Sequence, residues 1–181
     1  MRKLNAWIYV TLDGVVEAPE RWVVPDAGMF EEQTAGYAAS DALLLGRRTY
    51  DVFAASWPQR GSDVANADWM NNTSKYVASR TLESPEWQHT TVLHGDVGEA
   101  VSRLKHQDGE AITLNGSATL LRSLLGAGLV DELRLFLHPV VLGSGERLFD
   151  DVEDRLALEL SDCHAYDSGV VALTYQPRRS G

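Results

Sequence analysis

Residues 111–149 read AITLNGSATLLRSLLGAGLVDELRLFLHPVVLGSGERLF. The run Ala111 to Leu114 is short and apolar, which suits a buried strand. Asn115-Gly116-Ser117 breaks it. Ala118, Leu120, Leu121, Leu124 and Leu125 then recur at helical spacing, and Gly126 and Gly128 stop the helix. Val130 to Leu142 reads as a second apolar strand. The order is strand, glycine turn, helix, glycine stop, strand. A crossover of this kind between parallel strands leaves the first N–H groups of the helix free over the carboxyl edge of the sheet. Those donors and the positive end of the helix dipole attract an anion. Gly116 has no side chain to obstruct it, and Ser117 can cap the helix and donate a hydroxyl. The turn reads as a phosphate cradle, or equally as a plain turn with an ordinary serine cap. The rest of the chain has to decide.

Working outward, the chain has 181 residues, enough for one domain over 1–181 with a full core. Its net charge of −10 opposes a nucleic-acid partner, whose phosphate backbone requires a basic surface. Lysine occurs only at positions 3, 75 and 105, so most of the positive charge is arginine, which suits bidentate phosphate contacts. One cysteine, Cys163, fits a reducing compartment. No apolar run reaches membrane-spanning length, and Met1 to Val10 reads as a strand without a cleavage-like site after it. The expectation is a cytoplasmic protein with no membrane partner. The histidines lack the paired spacing of a zinc site, so no metal is expected.

In chain order, Leu4 to Leu12 is aromatic and β-branched and reads as a strand ended by Asp13-Gly14. Asp26 stands as a helix N-cap ahead of Met29, Phe30, Gln33, Tyr37 and Ala38. Ala42 to Leu45 is a short strand running into Gly46, and Arg47 to Ala55 a helix. Ser56 to Thr73 reads as a long polar loop. Lys75 to Ser79 and Thr91 to Leu93 are strands. Asp96 to His106 is a helix with a capping-box start at Asp96 and Glu99. Leu156 to Leu160 and Val170 to Tyr175 read as a closing antiparallel pair, and Pro177 to Gly181 as a frayed tail. Strands alternate with helices, which predicts an α/β fold of three αβα layers around a mixed, mainly parallel sheet.

Two more turns repeat the logic of the first. Leu45-Gly46-Arg47-Arg48-Thr49 runs from a buried strand into a helix, and Ser79-Arg80 follows the strand beginning at Lys75. In an open parallel sheet all three turns can share one edge, where ligands bind. Together they suit a ligand with several phosphates.

The segments TLDG (11–14), LLLGRRTYDVF (43–53), VASRTL (77–82) and NGSATLL…GLVDELRLFLHPVVLGSGERLF (115–149) resemble the dihydrofolate reductase-like superfamily. Within it they are similar to the branch that holds the reductase domain of the bacterial riboflavin-biosynthesis protein. The resemblance implies a dihydrofolate reductase-like fold, NADPH as hydride donor, a small heterocyclic substrate such as a pteridine or a ribosylaminopyrimidine, and a homodimer. It places Gly46, Arg47 and Thr49 in the family's glycine-arginine-x-threonine turn, the arginine facing the 2′-phosphate and the threonine the pyrophosphate. Arg48 lies in the same turn. Ser79 and Arg80 fall beside the adenosine ribose, and Gly116, Ser117 and Ala118 under the pyrophosphate. A planar guanidinium paired with a phosphate agrees with this assignment.

Reducing a C=N or C=O bond also needs a proton, which a carboxyl with a raised pKa can deliver. The resemblance offers two. Asp26 stands four residues before an aromatic, Phe30, as in folate-reducing members, and Asp13 belongs to the TLDG motif weighted in pyrimidine-reducing members. Asp26 reads first as a helix cap, and Asp13 equally as a turn residue. Glu31 is a further candidate, or part of a solvated helix face. Trp22, Trp57 and Trp69 can stack on a flat ring or close the core. Two functional classes follow: an NADPH-dependent reductase, and a non-catalytic nucleotide- or small-ligand-binding protein of the same fold.

Overall fold

The computed structural model describes residues 1–150, 152 and 155–178. Eight strands form one sheet: β1 (Leu4–Thr11), β2 (Ser40–Gly46), β3 (Ser74–Ala78), β4 (Thr90–Leu93), β5 (Ala111–Asn115), β6 (Glu132–His138), β7 (Leu158–Ala165) and β8 (Val171–Pro177). Five helices connect them: α1 (Ala27–Ala38), α2 (Arg47–Ser56), α3 (Ala67–Asn72), α4 (Val97–Lys105) and α5 (Ala118–Gly126). The order across the sheet is β4-β3-β2-β5-β1-β6-β8-β7. The first six strands of the chain pair in parallel, whereas β8 runs antiparallel to both β6 and β7.

Side-chain alternation divides the core between the two faces of the sheet. On one face Leu4, Ala6, Ile8, Leu44, Ile112 and Leu114 pack against Val101 and Leu104 of α4 and the leucines of α5. On the other, Leu43 and Leu45 meet Tyr37 of α1, Tyr50 of α2 and Met70 of α3, while Trp7 and Phe136 meet Met29 of α1. The expected three layers form because each strand in the middle of the sheet buries both its faces under helices.

The central strand, β1, takes its neighbours from late in the chain: Leu4 is in register with Ile112, and Asn5 to Thr11 with Glu132 to His138. Asp131 fixes that register, since its Oδ2 accepts from the Leu4 amide (2.8 Å) and from the buried Lys105 ammonium. At the amino end of β3, Lys75 is fully buried, and its Nζ donates to the carbonyls of Met70 and Thr73, each at 2.9 Å. Burial lowers this amine to about 8, while the three carbonyl acceptors and the Trp87 ring at 4.5 Å compensate its charge.

Three expectations change in detail, and for Trp69 one of two alternatives is decided. The polar segment 56–73 is not one loop: it holds a 3-10 turn at Trp57–Gln59 and the short helix α3, which starts from a left-handed Asn66 (φ 64°). The strand expected to reach Leu142 ends at His138, because Pro139 cannot donate to the sheet. Trp69 stacks on Tyr37 (centroids 4.6 Å apart) and donates to the Ser40 carbonyl, so it closes the core. Pro177 closes β8, and the expected tail beyond Arg178 lies outside the described residues. Among the described residues, no helix is long and apolar enough to cross a membrane.

Candidate functional site

Because β1 to β6 run parallel, their carboxyl ends share one rim, and a cleft of about 1200 Å³ opens along it. Gly46, Arg47, Arg48 and Thr49 line it from the end of β2, Ser79 and Arg80 from the end of β3, and Gly116, Ser117 and Ala118 from the end of β5. All nine residues expected at a phosphate-binding edge are therefore brought to a single cavity.

The two glycine turns interlock. A Cβ built on Gly46 would lie 2.1 Å from Ser117 Oγ, and one on Gly116 would lie 2.9 Å from Thr49 Oγ1. Glycine at both positions lets the starts of α2 and α5 meet over β2 and β5. Gly116 (φ 66°) and Ser117 (φ 57°) both take the left-handed conformation. For serine this conformation is costly, and such strain concentrates at functional sites. Ser117 Oγ caps α5 by accepting from the Leu120 amide (3.4 Å). By contrast Gly46, the N-cap of α2, offers no side chain to that helix's first amides. The positive end of α2 thus faces the cleft with its amides uncapped by any side chain, an arrangement suited to an anion.

The arginines are held by neighbours. Arg47 Nε donates to both carboxylate oxygens of Asp51 (2.9 and 3.0 Å), and its Nη1 reaches Thr81 Oγ1 (3.4 Å) across the β2 and β3 turns. Thr81 was not foreseen, since only the fold brings it beside Arg47. Arg48 lies 3.8 Å from Glu146, itself 3.5 Å from Arg122. Ser79 Oγ accepts from the amides of Thr81 (3.2 Å) and Leu82 (3.0 Å), which shapes the turn that carries Arg80 outward.

Past Gly116 the cleft reaches β1, where Trp7 and Tyr9 form its floor together with Asn115 of β5. Gln33 Nε2 donates to the Tyr9 hydroxyl at 2.5 Å, and Asn115 Nδ2 donates to the Tyr37 hydroxyl. Burial pushes the Tyr9 phenol above its usual pKa, so it stays protonated at neutral pH. The alternation of β1 puts Trp7 and Tyr9 on one face, a signal available in the sequence; that this face opens on the cleft was not.

The two aspartates expected to carry the proton stand elsewhere. Asp13 accepts from Thr11 Oγ1 (2.6 Å) and from the amides of Gly143 (2.7 Å) and Leu142 (3.2 Å), tying the end of β1 to the loop after β6. The Thr11 hydroxyl and then the Gly143 amide hold its carboxyl down at about 2. Asp26 caps α1: its Oδ1 accepts from the Met29 amide (3.0 Å), and that bond above all lowers its pKa. Neither lines the cleft, and both are ionised at neutral pH, with geometry that gives them structural tasks. Glu31 does not line the cleft either, nor do Trp22, Trp57 and Trp69. The Asp13 clip is testable through pH. A depressed carboxylate stabilises above its unfolded value of 3.8 and loses that contribution as pH falls through it towards 2. The Gly143 amide resonance should therefore be constant above about pH 5 and shift on acidification; in Asp13→Asn the shift should vanish, and its persistence would refute the clip.

Comparison with known proteins places this geometry. The family model described as the RibD C-terminal domain matches residues 2–172. The uncharacterized protein YyaP of Bacillus subtilis is 34% identical over 182 residues, covering 96% of this chain and 94% of its own length. A pyrimidine reductase-like protein from Corynebacterium diphtheriae superimposes with a TM-score of 0.69 at 13% identity, over 99% of this chain and 93% of that one. Dihydrofolate reductase from Enterococcus faecalis, solved with NADP(H), superimposes with a TM-score of 0.64 at 16% identity, over 98% and 97% of the two chains. The fold is dihydrofolate reductase-like, and by its sequence the chain belongs to the RibD C-terminal domain family.

Proposed function

We propose that the protein is an NADPH-dependent reductase of a small heterocycle. The observation that carries this reading is the pair of interlocked glycine turns flanked by Arg47, Arg48 and Arg80 on one cleft. The fit to a phosphorylated dinucleotide rests on the donor set. Uncapped amides of α2 and the Thr49 and Ser117 hydroxyls suit a pyrophosphate, and Arg47 and Arg80, which follow the neighbouring strands β2 and β3, suit a further phosphate on a ribose. A side chain at Gly46 or Gly116 would collide with the facing turn, at Ser117 or Thr49, and force the two halves of that donor set apart. When bound, NADPH supplies a hydride, which a C=N or C=O carbon of the substrate accepts while the adjoining heteroatom takes one proton.

Of this chain's own groups, Tyr9 is placed to meet that proton demand. Its oxygen already accepts from Gln33, which leaves its own O–H to face a ligand on the β1 side. The proton it gives is replaced from solvent. Asp13 and Asp26 would act only by shaping the loops around the site. The reading extends to a homodimer in a reducing compartment, as the family resemblance implies.

Arg47→Ala should lower the preference for NADPH over NADH by about tenfold or more, the effect of losing one charge-assisted phosphate contact. Binding titrations with both nucleotides measure it, and an unchanged ratio would refute the assignment. Tyr9→Phe should leave NADPH affinity within about twofold but cut turnover by roughly 10²-fold, the range for a lost proton donor. Equal loss in both quantities would make Tyr9 a packing residue.

One observation favours a second reading. The two carboxylates expected as acids are held ionised and outside the cleft, which suits a protein that binds the nucleotide without reaction. Stabilisation by NADPH with no oxidation across a panel of pterins and aminopyrimidines would favour that reading.

A further inference from the structure

Charge is distributed unevenly along the rim. Among the described residues lining the cleft, the cations are Arg80 at the end of β3 and Arg47 and Arg48 at the end of β2, with one carboxylate beyond them, Asp96, which caps α4. Two strands further along, on the β1 side, the charged lining residues are Glu17 and Glu20, on the segment that follows β1. Glu17 is fixed there: its Oε2 accepts from the Glu146 amide (3.2 Å), and its carbonyl accepts from Trp22 Nε1 (2.7 Å). Glu146, on the facing loop, adds a third carboxylate, though one balanced by Arg48 and Arg122. Arg21 is not among the lining residues, although its exposed guanidinium lies 3.8 Å from Glu20.

We infer that the substrate is a planar heterocycle that is uncharged or cationic at neutral pH and carries no phosphate ester. The inference rests on the proposed cofactor reading, because NADPH would take up the three arginines, and on the β1 side no described lining residue is a cation that could receive a second anion. A phosphate placed there would lose its hydration and meet Glu17 and Glu20 instead of a guanidinium, which costs binding free energy. A flat ring without that group meets Trp7 and Tyr9, with the Tyr9 hydroxyl, in the lining. A protonated amine on the ring gains from the two carboxylates. Like-charge exclusion of this kind makes the loop a specificity filter.

The experiment uses the full chain in two steps. NADPH binding is first measured by quenching of tryptophan fluorescence. The NADP+-saturated protein is then titrated calorimetrically with matched pairs: 6-hydroxymethyl-7,8-dihydropterin and its phosphate ester, and 5-amino-6-ribosylaminouracil and its 5′-phosphate. Further uncharged and cationic pteridines complete the panel. At least one unphosphorylated member should bind, and more tightly than its phosphate ester by tenfold or more. In the Glu17→Gln, Glu20→Gln double variant that preference should shrink at least threefold, with NADPH affinity unchanged. The inference is overturned on its own if NADPH binds but a phosphate ester binds as well as its parent. It is also overturned if no uncharged or cationic member binds, or if the double variant keeps the full preference. Failure of NADPH to bind at all overturns the cofactor reading, and the inference falls with it.

Discussion

Gly46→Ala should weaken NADPH binding by roughly 100-fold, equivalent to about 2.7 kcal/mol. The added methyl would sit 2.1 Å from Ser117 Oγ and 2.6 Å from Ser117 Cβ. Rotating χ1 moves the hydroxyl but not the Cβ, so relief requires the Ser117 backbone to shift. That backbone is anchored, since its carbonyl accepts the Leu121 amide at 3.0 Å as the first bond of α5. The displacement therefore reaches the start of α5, and with it half of the proposed pyrophosphate cradle. Removing the obstacle should reverse much of the effect: Gly46→Ala combined with Ser117→Gly should recover at least about tenfold of the loss, a coupling expected only of residues in direct contact. Fluorescence titration of the two single variants and the double variant checks it. Wild-type affinity in Gly46→Ala would refute the cradle.

Gly36→Ala should destabilise the fold by about 3 kcal/mol or more, at the upper end of overpacking effects. Gly36 lies in α1, where alanine ordinarily stabilises a helix. Here an added Cβ would fall 1.7 Å from Trp7 Cη2 and 2.1 Å from Cζ2. The indole cannot swing away, because Tyr37 and Phe136 pack around it at centroid distances of 5.4 and 6.3 Å. Either α1 lifts from the sheet or Trp7 leaves its place in the floor of the cleft. Urea unfolding of Gly36→Ala measures the cost. In a Trp7→Phe background, with the six-membered indole ring gone, the same change should cost at least about 1.5 kcal/mol less. An unaltered unfolding midpoint would show that the contact is softer than its geometry.

The layers were legible because the sequence writes them locally. Apolar runs such as Leu43–Leu45 mark strands buried on both faces, and Asp26 and Asp96 mark helix starts that the structure confirms through bonds to the Met29 and Glu99 amides. The rim was legible for the same reason, since each glycine turn lies between its own strand and helix. What was not legible depends on distant parts of the chain meeting. The six-residue α3 begins at a left-handed asparagine and has too few turns to show a period. Asp13 could be seen as a turn residue, but its partners Leu142 and Gly143 lie 129 and 130 residues away. Once they are in place, the carboxylate that resembled an acid becomes a clip. The separation of the cleft's three arginines from Glu17 and Glu20 emerges likewise only when the strand order is known, because β3 and β1 are not neighbours.

The position of β1 also bears on how the chain is made. As the earliest of these eight strands in the chain, Leu4–Thr11 meets its sheet neighbours only after residues 112 and 132–138 have been synthesised. Until then LNAWIYVT is an apolar segment with two unpaired edges. Such long-range parallel pairing gives a high contact order, hence slow folding and a prolonged exposure to aggregation. The strand on which the finished molecule centres is thus the one a nascent chain must shelter longest.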